Sequence, residues 1–313
     1  MPIVSVKGFF DTHVHTGPAP FRRLGDTIEI ARLCAKEGMA GIVVKSHFEA
    51  TISKCYHARK EVPDLKIIPS ITLNRGVGGM NPAAVEQSLS QGAKVIWLPT
   101  IDAANHISYF GAGGSFGNVA EGSYQSMKTR KARGNYTVLK NGKLLEEIKE
   151  IVDLSIAFQA VLATGHINRE EIFAIVEYAI SKNHNKVVIT HPEMYVPNLD
   201  IQSQIELSKL GCYMEYCAIN CFPVFHCVSL EELKEMIEAV TPSRAILATD
   251  SGQPFSPNTP ELFRIFVQML YEKGLDSKSI AQMAIKNPAS LLGFSPEADA
   301  INFKIDLLDQ MES

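Results

Sequence analysis

Short apolar segments and helical segments alternate along the whole chain, and this alternation restricts the fold more than any other feature of the sequence. Strands that are buried on both faces of a parallel sheet have this length and continuous apolar character. Eight segments fit that description: Ile3–Phe10, Gly41–His47, Lys66–Leu73, Ala93–Leu98, Ala160–Thr164, Lys186–Thr190, Cys212–Cys217 and Arg244–Thr249. Segments with helical periodicity or helix-capping residues separate them.

This alternation is typical of an α/β protein with parallel strands. Eight strands that alternate with helices predict a (β/α)8 TIM barrel, which commonly needs about 250 residues. The chain has 313 residues, so we expect one barrel domain over residues 1–313. A doubly wound open sheet is the alternative, because its strands and helices alternate in the same way.

One long irregular stretch interrupts the pattern after the fourth strand. We expect residues 101–143 to form a lid-like insertion, because loops of this length usually have a function and loops after the strands lie at the catalytic end of a barrel. Within it, the Asn141-Gly142 dipeptide predicts a small β-hairpin. The stretch also contains basic residues that we expect to attract an anionic substrate, namely Lys128, Arg130, Lys131 and Arg133.

Composition and charge exclude several classes of protein. Hydrophobic residues make up 46% of the chain and charged residues 20%, which is ordinary for a globular protein and not for a disordered one. The net charge is −4 and no basic run dominates, which argues against nucleic acid or a membrane as partner. We therefore expect a small-molecule substrate, with homo-oligomerisation left open. Without a targeting pattern or about 18 consecutive apolar residues, the sequence predicts a cytoplasmic protein.

The six cysteines lack the regular spacing of a disulfide framework, so we expect reduced thiols. Cys217, Cys221 and Cys227 lie close to His226 and raise the hypothesis of a zinc site. None of them belongs to a Cys-x2-Cys pair, and buried free thiols are the better interpretation.

Histidine and aspartate recur where the predicted strands end. Alternate residues of a strand point to the same side, so His13 and His15 can bind one divalent ion together. Comparable side chains follow the fifth, sixth and eighth strands at His166, His191 and Asp250. The carboxyl ends of all strands meet at one face of a barrel. The sequence therefore predicts a metal site built from these five residues.

Other polar residues near the strand ends are further candidates. His47 ends the second strand, close to Lys45. Asp11 shares a strand face with His13, so it is either a carboxylate that orients a metal ligand or an ordinary strand-end residue. Asp102 and His106 follow the fourth strand and could also reach the site.

At this point the pattern resembles the amidohydrolase superfamily of metal-dependent hydrolases. In that family His-x-His follows the first strand, a His follows the fifth and the sixth, and an Asp follows the eighth. The local sequences are most similar to the phosphotriesterase-like branch or an uncharacterised neighbour of it. The segments that carry the resemblance are Asp11–His15, Thr164–His166, Thr190–Pro192 and Ala248–Ser251.

One position departs from the family pattern. Binuclear members have a carboxylated Lys or a Glu after the fourth strand, whereas residues 95–100 of this chain read Val-Ile-Trp-Leu-Pro-Thr. The number of metal ions therefore stays open at one or two. Lys45 and His47 are candidates to replace the missing bridge, with Lys45 either carboxylated or a cationic contact to the substrate.

The resemblance implies a hydrolase that cleaves an amide, lactone or ester bond of a small anionic substrate. It implies that Asp250 is both a metal ligand and the general base, and Lys45 is the second candidate catalytic residue. Zn²⁺ is the expected ion, although Mn²⁺ or Fe²⁺ also suits a mixed set of nitrogen and oxygen ligands. The alternatives are a phosphoesterase, a metal-dependent decarboxylase and a metal-binding barrel without catalytic activity.

Overall fold

The computed structural model of the protein describes residues 4–111, 116, 135–223 and 225–295. In these residues short strands alternate with helices. The strands are β1 (Phe10–His15), β2 (Gly41–Lys45), β3 (Lys66–Ile68), β4 (Ser70–Thr72), β5 (Val95–Trp97), β6 (Leu139–Lys140), β7 (Lys143–Leu144), β8 (Val161–Ala163), β9 (Val187–Thr190), β10 (Tyr213–Cys217) and β11 (Ala245–Ala248). The helices are α1 (Thr27–Lys36), α2 (Ile52–Glu61), α3 (Pro82–Ser90), α4 (Ala104–Phe110), α5 (Glu146–Ala157), α6 (Arg169–Ser181), α7 (Ile201–Lys209), α8 (Leu230–Val240), α9 (Thr259–Glu272), α10 (Ser277–Ala281) and α11 (Asn287–Leu292). None of the helices in these ranges is long and apolar enough to cross a bilayer.

The strands form two parallel sheets and one small hairpin. The first sheet has the order β1-β2-β3, and the second has the order β11-β10-β9-β8-β5-β4. Every neighbouring pair in these two sheets is parallel. The expected α/β class with parallel strands is therefore confirmed, and strands that are neighbours in a sheet follow one another along the chain.

A proline divides the third predicted strand into β3 and β4. Pro69 has no N–H group to donate to a neighbouring strand, so regular pairing stops there. β3 pairs with β2, whereas β4 pairs with β5. The Pro69 carbonyl still accepts a hydrogen bond of 3.0 Å from Lys94 N. The segment therefore belongs to both sheets and joins them.

The outer edges of the two sheets meet between β1 and the end of β11. Val14 and Ser251 form an isolated parallel bridge, and His15 N donates to Ser251 O at 2.9 Å. The Asp11 carboxylate accepts hydrogen bonds from Thr249 N at 3.1 Å and from Thr249 Oγ1 at 2.5 Å. The buried Asp11 side chain thus helps to connect β1 to the end of β11, whereas backbone hydrogen bonds connect the neighbouring strands within each sheet.

Neighbouring strand residues belong to two different apolar clusters. Ile42 and Ile189 lie in a large cluster together with residues of the helices. Val43 and Val188, the adjacent residues, lie in a separate inner cluster. The strands are therefore apolar on both faces, which explains their continuous apolar sequences. Helix α11 covers the amino end of this inner cluster, where Asn287 Nδ2 donates to the carbonyl of Ala245, the first residue of β11, at 2.7 Å.

The helix-capping residues expected between the strands are present, because Asp26, Asn168 and Ser229 each form a capping box at the start of a helix. The predicted hairpin is also confirmed. β6 and β7 pair as an antiparallel hairpin around Asn141 and Gly142, whose φ angles are 53° and 72°. Positive φ at both turn residues is the requirement that favours Asn-Gly in a hairpin.

The first strand begins later than predicted. Residues 4–9 do not form a strand, because Gly8 has a φ of 80° and Phe9 N donates to Val6 O at 3.0 Å in a turn. Of the predicted range Ile3–Phe10, residues 4–9 are therefore wrong and Phe10 is the first residue of β1. His13 and His15 lie within β1 itself and not after it.

The stretch from 101 to 143 is more regular than predicted where the structure describes it. Helix α4 occupies Ala104–Phe110. Its start at Ala103 has no capping side chain, so little in the sequence indicates a helix there. Residues 112–115 and 117–134 lie outside the described residues, and so do the basic residues Lys128, Arg130, Lys131 and Arg133. A lid over residues 101–143 stays a prediction.

Gly252 lies where the segment after β11 passes β1. Its φ is 115°, and a Cβ atom added to it would lie 2.0 Å from the carbonyl oxygen of His15. The Gly252 carbonyl also accepts a hydrogen bond of 2.9 Å from Leu24 N. This close approach of two backbones requires glycine.

We expect Gly252→Ala to lower the free energy of unfolding by roughly 3 kcal/mol or more, because a backbone clash adds to the strain of a left-handed residue. Gly211→Ala is the matched control. Gly211 has a φ of 99° with nothing within 4 Å of the added Cβ, so it should lose only about 1–2 kcal/mol. Urea unfolding followed by circular dichroism measures both values. Equal losses would contradict the proposed clash.

Candidate functional site

Buried and half-buried polar side chains gather at the carboxyl ends of the parallel strands. The sheet order brings them together although they are far apart in sequence. They are His13 and His15 in β1, Lys45 at the end of β2, His166 after β8, His191 after β9, Glu215 in β10 and Asp250 after β11.

His13, His15 and Asp250 form one metal-competent group among the described residues. Asp250 Oδ1 lies 3.0 Å from His15 Nε2 and 3.3 Å from His13 Nε2. Ligand atoms of the three residues all lie within 4.8 Å of one another. Two ligands that share one ion at about 2.1 Å are about 3.0–3.4 Å apart at the angles of octahedral or tetrahedral coordination. The donor set and its spacing therefore fit a divalent metal ion.

Burial keeps the imidazoles of this region neutral. It lowers the pKa of His13 to about 3 and that of His191 to about 3, although the Asp250 charge opposes both shifts. It also lowers the pKa of His15 well below 6.5. Nδ1 of His15 and Nδ1 of His191 are buried and have no hydrogen-bond partner among the described residues. Neutral imidazole is the form that binds a metal ion, so these rings fit the same interpretation.

Glu215 fixes the orientation of His13. His13 Nδ1 donates to Glu215 Oε2 at 3.0 Å, and Thr12 Oγ1 donates to Glu215 Oε1 at 2.6 Å. With the proton on Nδ1, the lone pair of His13 Nε2 faces Asp250. Burial raises the pKa of Glu215, and the neighbouring Lys45 opposes this. The strand-end pattern does not reveal this role, although a carboxylate inside an apolar strand is a signal that the sequence contains.

Lys45 is buried beside the group formed by His13, His15 and Asp250. Its Nζ lies 2.9 Å from His13 Nε2 and 4.9 Å from the ring centre of Trp97. Burial lowers the pKa of Lys45, while the negative charges of Asp250 and Glu215 oppose the shift. The residue thus lies where a catalytic cation was expected, and its catalytic role stays a prediction.

His166 and His191 lie next to this group and not within it. The ring centre of His191 is 5.9 Å from that of His13 and 5.0 Å from that of His166. His106, on α4, places its Nδ1 2.8 Å from Nδ1 of His166. Neither His166 nor His191 belongs to a metal-competent group among the described residues. Their roles as ligands stay predictions.

Two other candidates also lie outside this group. The ring centre of His47 is 4.8 Å from that of His15, and its Nδ1 is 2.9 Å from Thr100 Oγ1. Asp102 accepts a hydrogen bond of 2.9 Å from Arg75 N. Neither residue belongs to a metal-competent group in the described part of the chain.

All six cysteines are free, as expected. Cys217 is buried, and its Sγ lies 3.7 Å from His13 Nδ1. It forms a metal-competent group with His13 and Glu215. Cys221, Cys227 and His226 belong to no such group among the residues that the structure describes. The hypothesis of a zinc site made of the three cysteines and His226 therefore has no support there.

Two of the site residues have unusual backbone angles. His191 has a φ of 29° and Asp250 a φ of 52°. A non-glycine residue in this region costs of the order of 1–3 kcal/mol, and such strain persists mostly at functional sites. The strain therefore marks the ends of β9 and β11 as positions where side-chain direction matters more than local stability.

A cavity of about 580 Å³ that opens to solvent adjoins the group. His15, Lys45 and Asp250 reach it from the strands. Its other walls contain both aromatic and basic side chains, including Phe21, Arg22, Arg23, Phe225 and Phe255. A small molecule in this cavity would contact the candidate metal ligands directly.

Residues 8–215 match the model of a family of unknown function, DUF6282. The chain belongs to this family. The match includes β1 to β9 with both histidines of β1, and it ends within β10, before Asp250. No curated protein matches this DUF6282 chain by sequence.

Solved structures share the fold of this DUF6282 protein at low sequence identity. An amidohydrolase from Pseudomonas aeruginosa aligns with a TM-score of 0.60 and 10% identity over 93% of this chain and 95% of its own. An organophosphorus hydrolase from Deinococcus radiodurans gives 0.56 and 13% over 94% and 97%. A candidate 2-pyrone-4,6-dicarboxylic acid hydrolase from Pseudomonas putida gives 0.53 and 13% over 92% and 98%. The expected resemblance to amidohydrolases is confirmed as a shared fold.

We expect the protein to bind one or two divalent ions per chain. Co²⁺ is a suitable probe, because the chain has a single tryptophan and the ring centre of Trp97 lies 5.7 Å from that of His13. Binding should quench the Trp97 fluorescence. His15→Ala should weaken it by roughly 100-fold or more, whereas His57→Ala, which alters an exposed residue of α2, should leave it unchanged. Equal affinities of the two variants would exclude His15 as a ligand.

Glu215→Gln should lower the metal affinity by roughly 10- to 100-fold, because it removes the charge that fixes the protonation of His13. Glu150→Gln removes the same charge from an exposed position on α5 and is the control. Competition with a chromophoric chelator measures both affinities. If Glu215→Gln matched the control, Glu215 would have no influence on the metal ligand.

Proposed function

We propose that this protein is a metal-dependent hydrolase that cleaves an amide, lactone or ester bond of a small anionic substrate. The proposal rests on the short distances between His13 Nε2, His15 Nε2 and Asp250 Oδ1, which lie beside an open cavity. The hydrolase names of the structurally similar proteins support the general class. One of those names includes a pyrone dicarboxylic acid, which is an anionic cyclic ester.

In this proposal the two sheets are parts of one closed (β/α)8 barrel that spans residues 1–313. The segment around Pro69 joins them at one edge, and the Val14–Ser251 bridge with the Asp11–Thr249 hydrogen bonds joins them at the other. Residues 101–143 would then extend from the catalytic face as a lid, because they follow β5 at its carboxyl end.

Zn²⁺ is the ion that we propose, and His13, His15 and Asp250 are its ligands, with His166, His191 and His47 available to complete the set or to hold a second ion. A divalent ion supplies Lewis acidity, which lowers the pKa of water to about 7 and polarises a carbonyl or phosphoryl oxygen. Mn²⁺ and Fe²⁺ fit the same ligand types.

The protein side chains carry out the proton transfers. Asp250 accepts a proton from the attacking water and returns it to the leaving group. Glu215 holds His13 in one tautomer through the hydrogen bond of 3.0 Å. Lys45 supplies a positive charge or an N–H donor close to the attacked bond, because its Nζ lies 2.9 Å from His13 Nε2.

We expect Asp250→Asn to lower kcat by roughly 100-fold or more while the fold is retained, because it removes a base at the cavity and no core volume. Asp153→Asn changes an exposed residue of α5 in the same way and should not alter kcat. Amide, lactone, ester and phosphoester panels with added Zn²⁺ or Mn²⁺ supply the substrate for this comparison.

Three outcomes would contradict the proposal. Turnover of phosphoesters alone would indicate a phosphoesterase, and release of CO₂ from a carboxylic acid would indicate a decarboxylase. Metal binding without turnover of any substrate would indicate a metal-binding protein that has no catalytic activity. Wild-type kcat in Asp250→Asn would remove that residue from the mechanism.

A further inference from the structure

The segment between β1 and α1 is held firmly against the candidate site. Gly17 N donates to Gly25 O at 2.8 Å, which closes the segment into a loop. Leu24 N donates to Gly252 O at 2.9 Å, which ties the loop to the segment after β11. At its base, the hydroxyl oxygens of Thr16 and Thr27 are 2.7 Å apart. Side chains on this loop are therefore fixed relative to His15 and Asp250.

Two arginines of this loop, Arg22 and Arg23, line the cavity beside the candidate metal ligands. Lys45 adds a third basic group, whereas Asp250 is the one acidic residue among the described residues that form the wall. The cavity is therefore basic although the whole chain has a net charge of −4. A wall of this charge favours an anion.

Arg23 is half-buried. The guanidinium carbon lies 5.5 Å from the ring centre of Phe21, so the side chain packs along an aromatic face. Both residues line the same cavity as His15 and Asp250. This packing therefore places the charge of Arg23 close to the candidate metal ligands.

Aromatic side chains form another part of the same cavity. Phe21, Phe225 and Phe255 all line it, and the ring centres of Phe225 and Phe255 are 6.5 Å apart. Phe255 remains 44% exposed. A large apolar side chain at a cavity entrance is typical of a surface that contacts an apolar ligand.

We propose that Arg22 and Arg23 bind an oxyanion of the substrate, a carboxylate or a phosphate, while its apolar ring-sized body lies against Phe21, Phe225 and Phe255. The planar guanidinium groups present paired N–H donors that match the two oxygens of a carboxylate. This inference rests on the proposed hydrolase function, because it assigns the substrate class of that site. It also moves the expected anion contact from the 128–133 segment to the loop before α1.

Ligand binding tests the inference without any turnover. The probes are benzoate, phenyl phosphate and the neutral benzamide, each titrated into the purified protein and followed by ligand-observed NMR. Arg23→Gln and Arg22→Gln should each raise the Kd of the preferred anion by roughly 10- to 100-fold and leave that of benzamide unchanged. Arg23→Lys should recover part of the affinity, because it keeps the charge but not the fork of donors.

Arg32→Gln is the matched control, because it removes the same charge from the exposed face of α1, where Arg32 pairs with Glu61. It should leave all three affinities unchanged. Phe255→Ala should weaken benzoate and benzamide alike, because it removes only apolar contact. Comparison of benzoate with phenyl phosphate identifies which oxyanion the site prefers.

The inference is overturned if the arginine variants bind benzoate and phenyl phosphate as tightly as the wild type, or if they lose benzamide to the same extent. Repetition after treatment with a chelator shows whether anion binding needs a metal ion. Arginine-dependent anion binding by untreated protein that turns over none of the panel substrates with added metal would retain the anion site and reject the hydrolase. Turnover with anion affinities that the arginine variants do not change would retain the hydrolase and reject the anion site.

Discussion

The buried carboxylate of Asp11 supports much of the geometry on which the site depends. It accepts hydrogen bonds from Thr249 N and Oγ1 and from His13 N, so it connects the first strand to the residue before Asp250. Its burial is costly, and desolvation raises its pKa to about 7 in spite of these three bonds. A buried carboxylate costs free energy unless hydrogen bonds compensate for its lost hydration. The hydrogen bonds of Asp11 hold β1 close to Thr249, and therefore hold His13 close to Asp250.

The sequence predicted the types of elements well and their limits less well. Continuous apolar strands and capping residues such as Asp26 and Ser229 depend on local chemistry, which a single sequence reveals. The division of the third strand depends on Pro69, and the prediction of one continuous strand took no account of that proline. Helix α4 had no capping signal at Ala103. The early start predicted for β1 ignored the turn at Gly8.

The strand-end pattern identifies residues that lie close together in the structure, but it does not identify the residues that support them. His13, His15 and Asp250 form one group, as their positions at strand ends indicated. Glu215 lies inside β10, and its partner His13 is 202 positions away, so only three-dimensional proximity reveals the pair. Arg22 and Arg23 lie in a loop that has no motif of its own. Their relation to the cavity depends on backbone bonds to Gly252.

The distance along the chain between His13 and Asp250 has a consequence for biosynthesis. A ribosome delivers the first two ligands early and the carboxylate only after nearly all strands have been made. Closing so long a loop is slow, and it must precede the contacts that stabilise it. A nascent chain that ends before Asp250 lacks one of the three proposed ligands. An ion bound through all three residues would therefore indicate a polypeptide in which β11 has already docked beside β1.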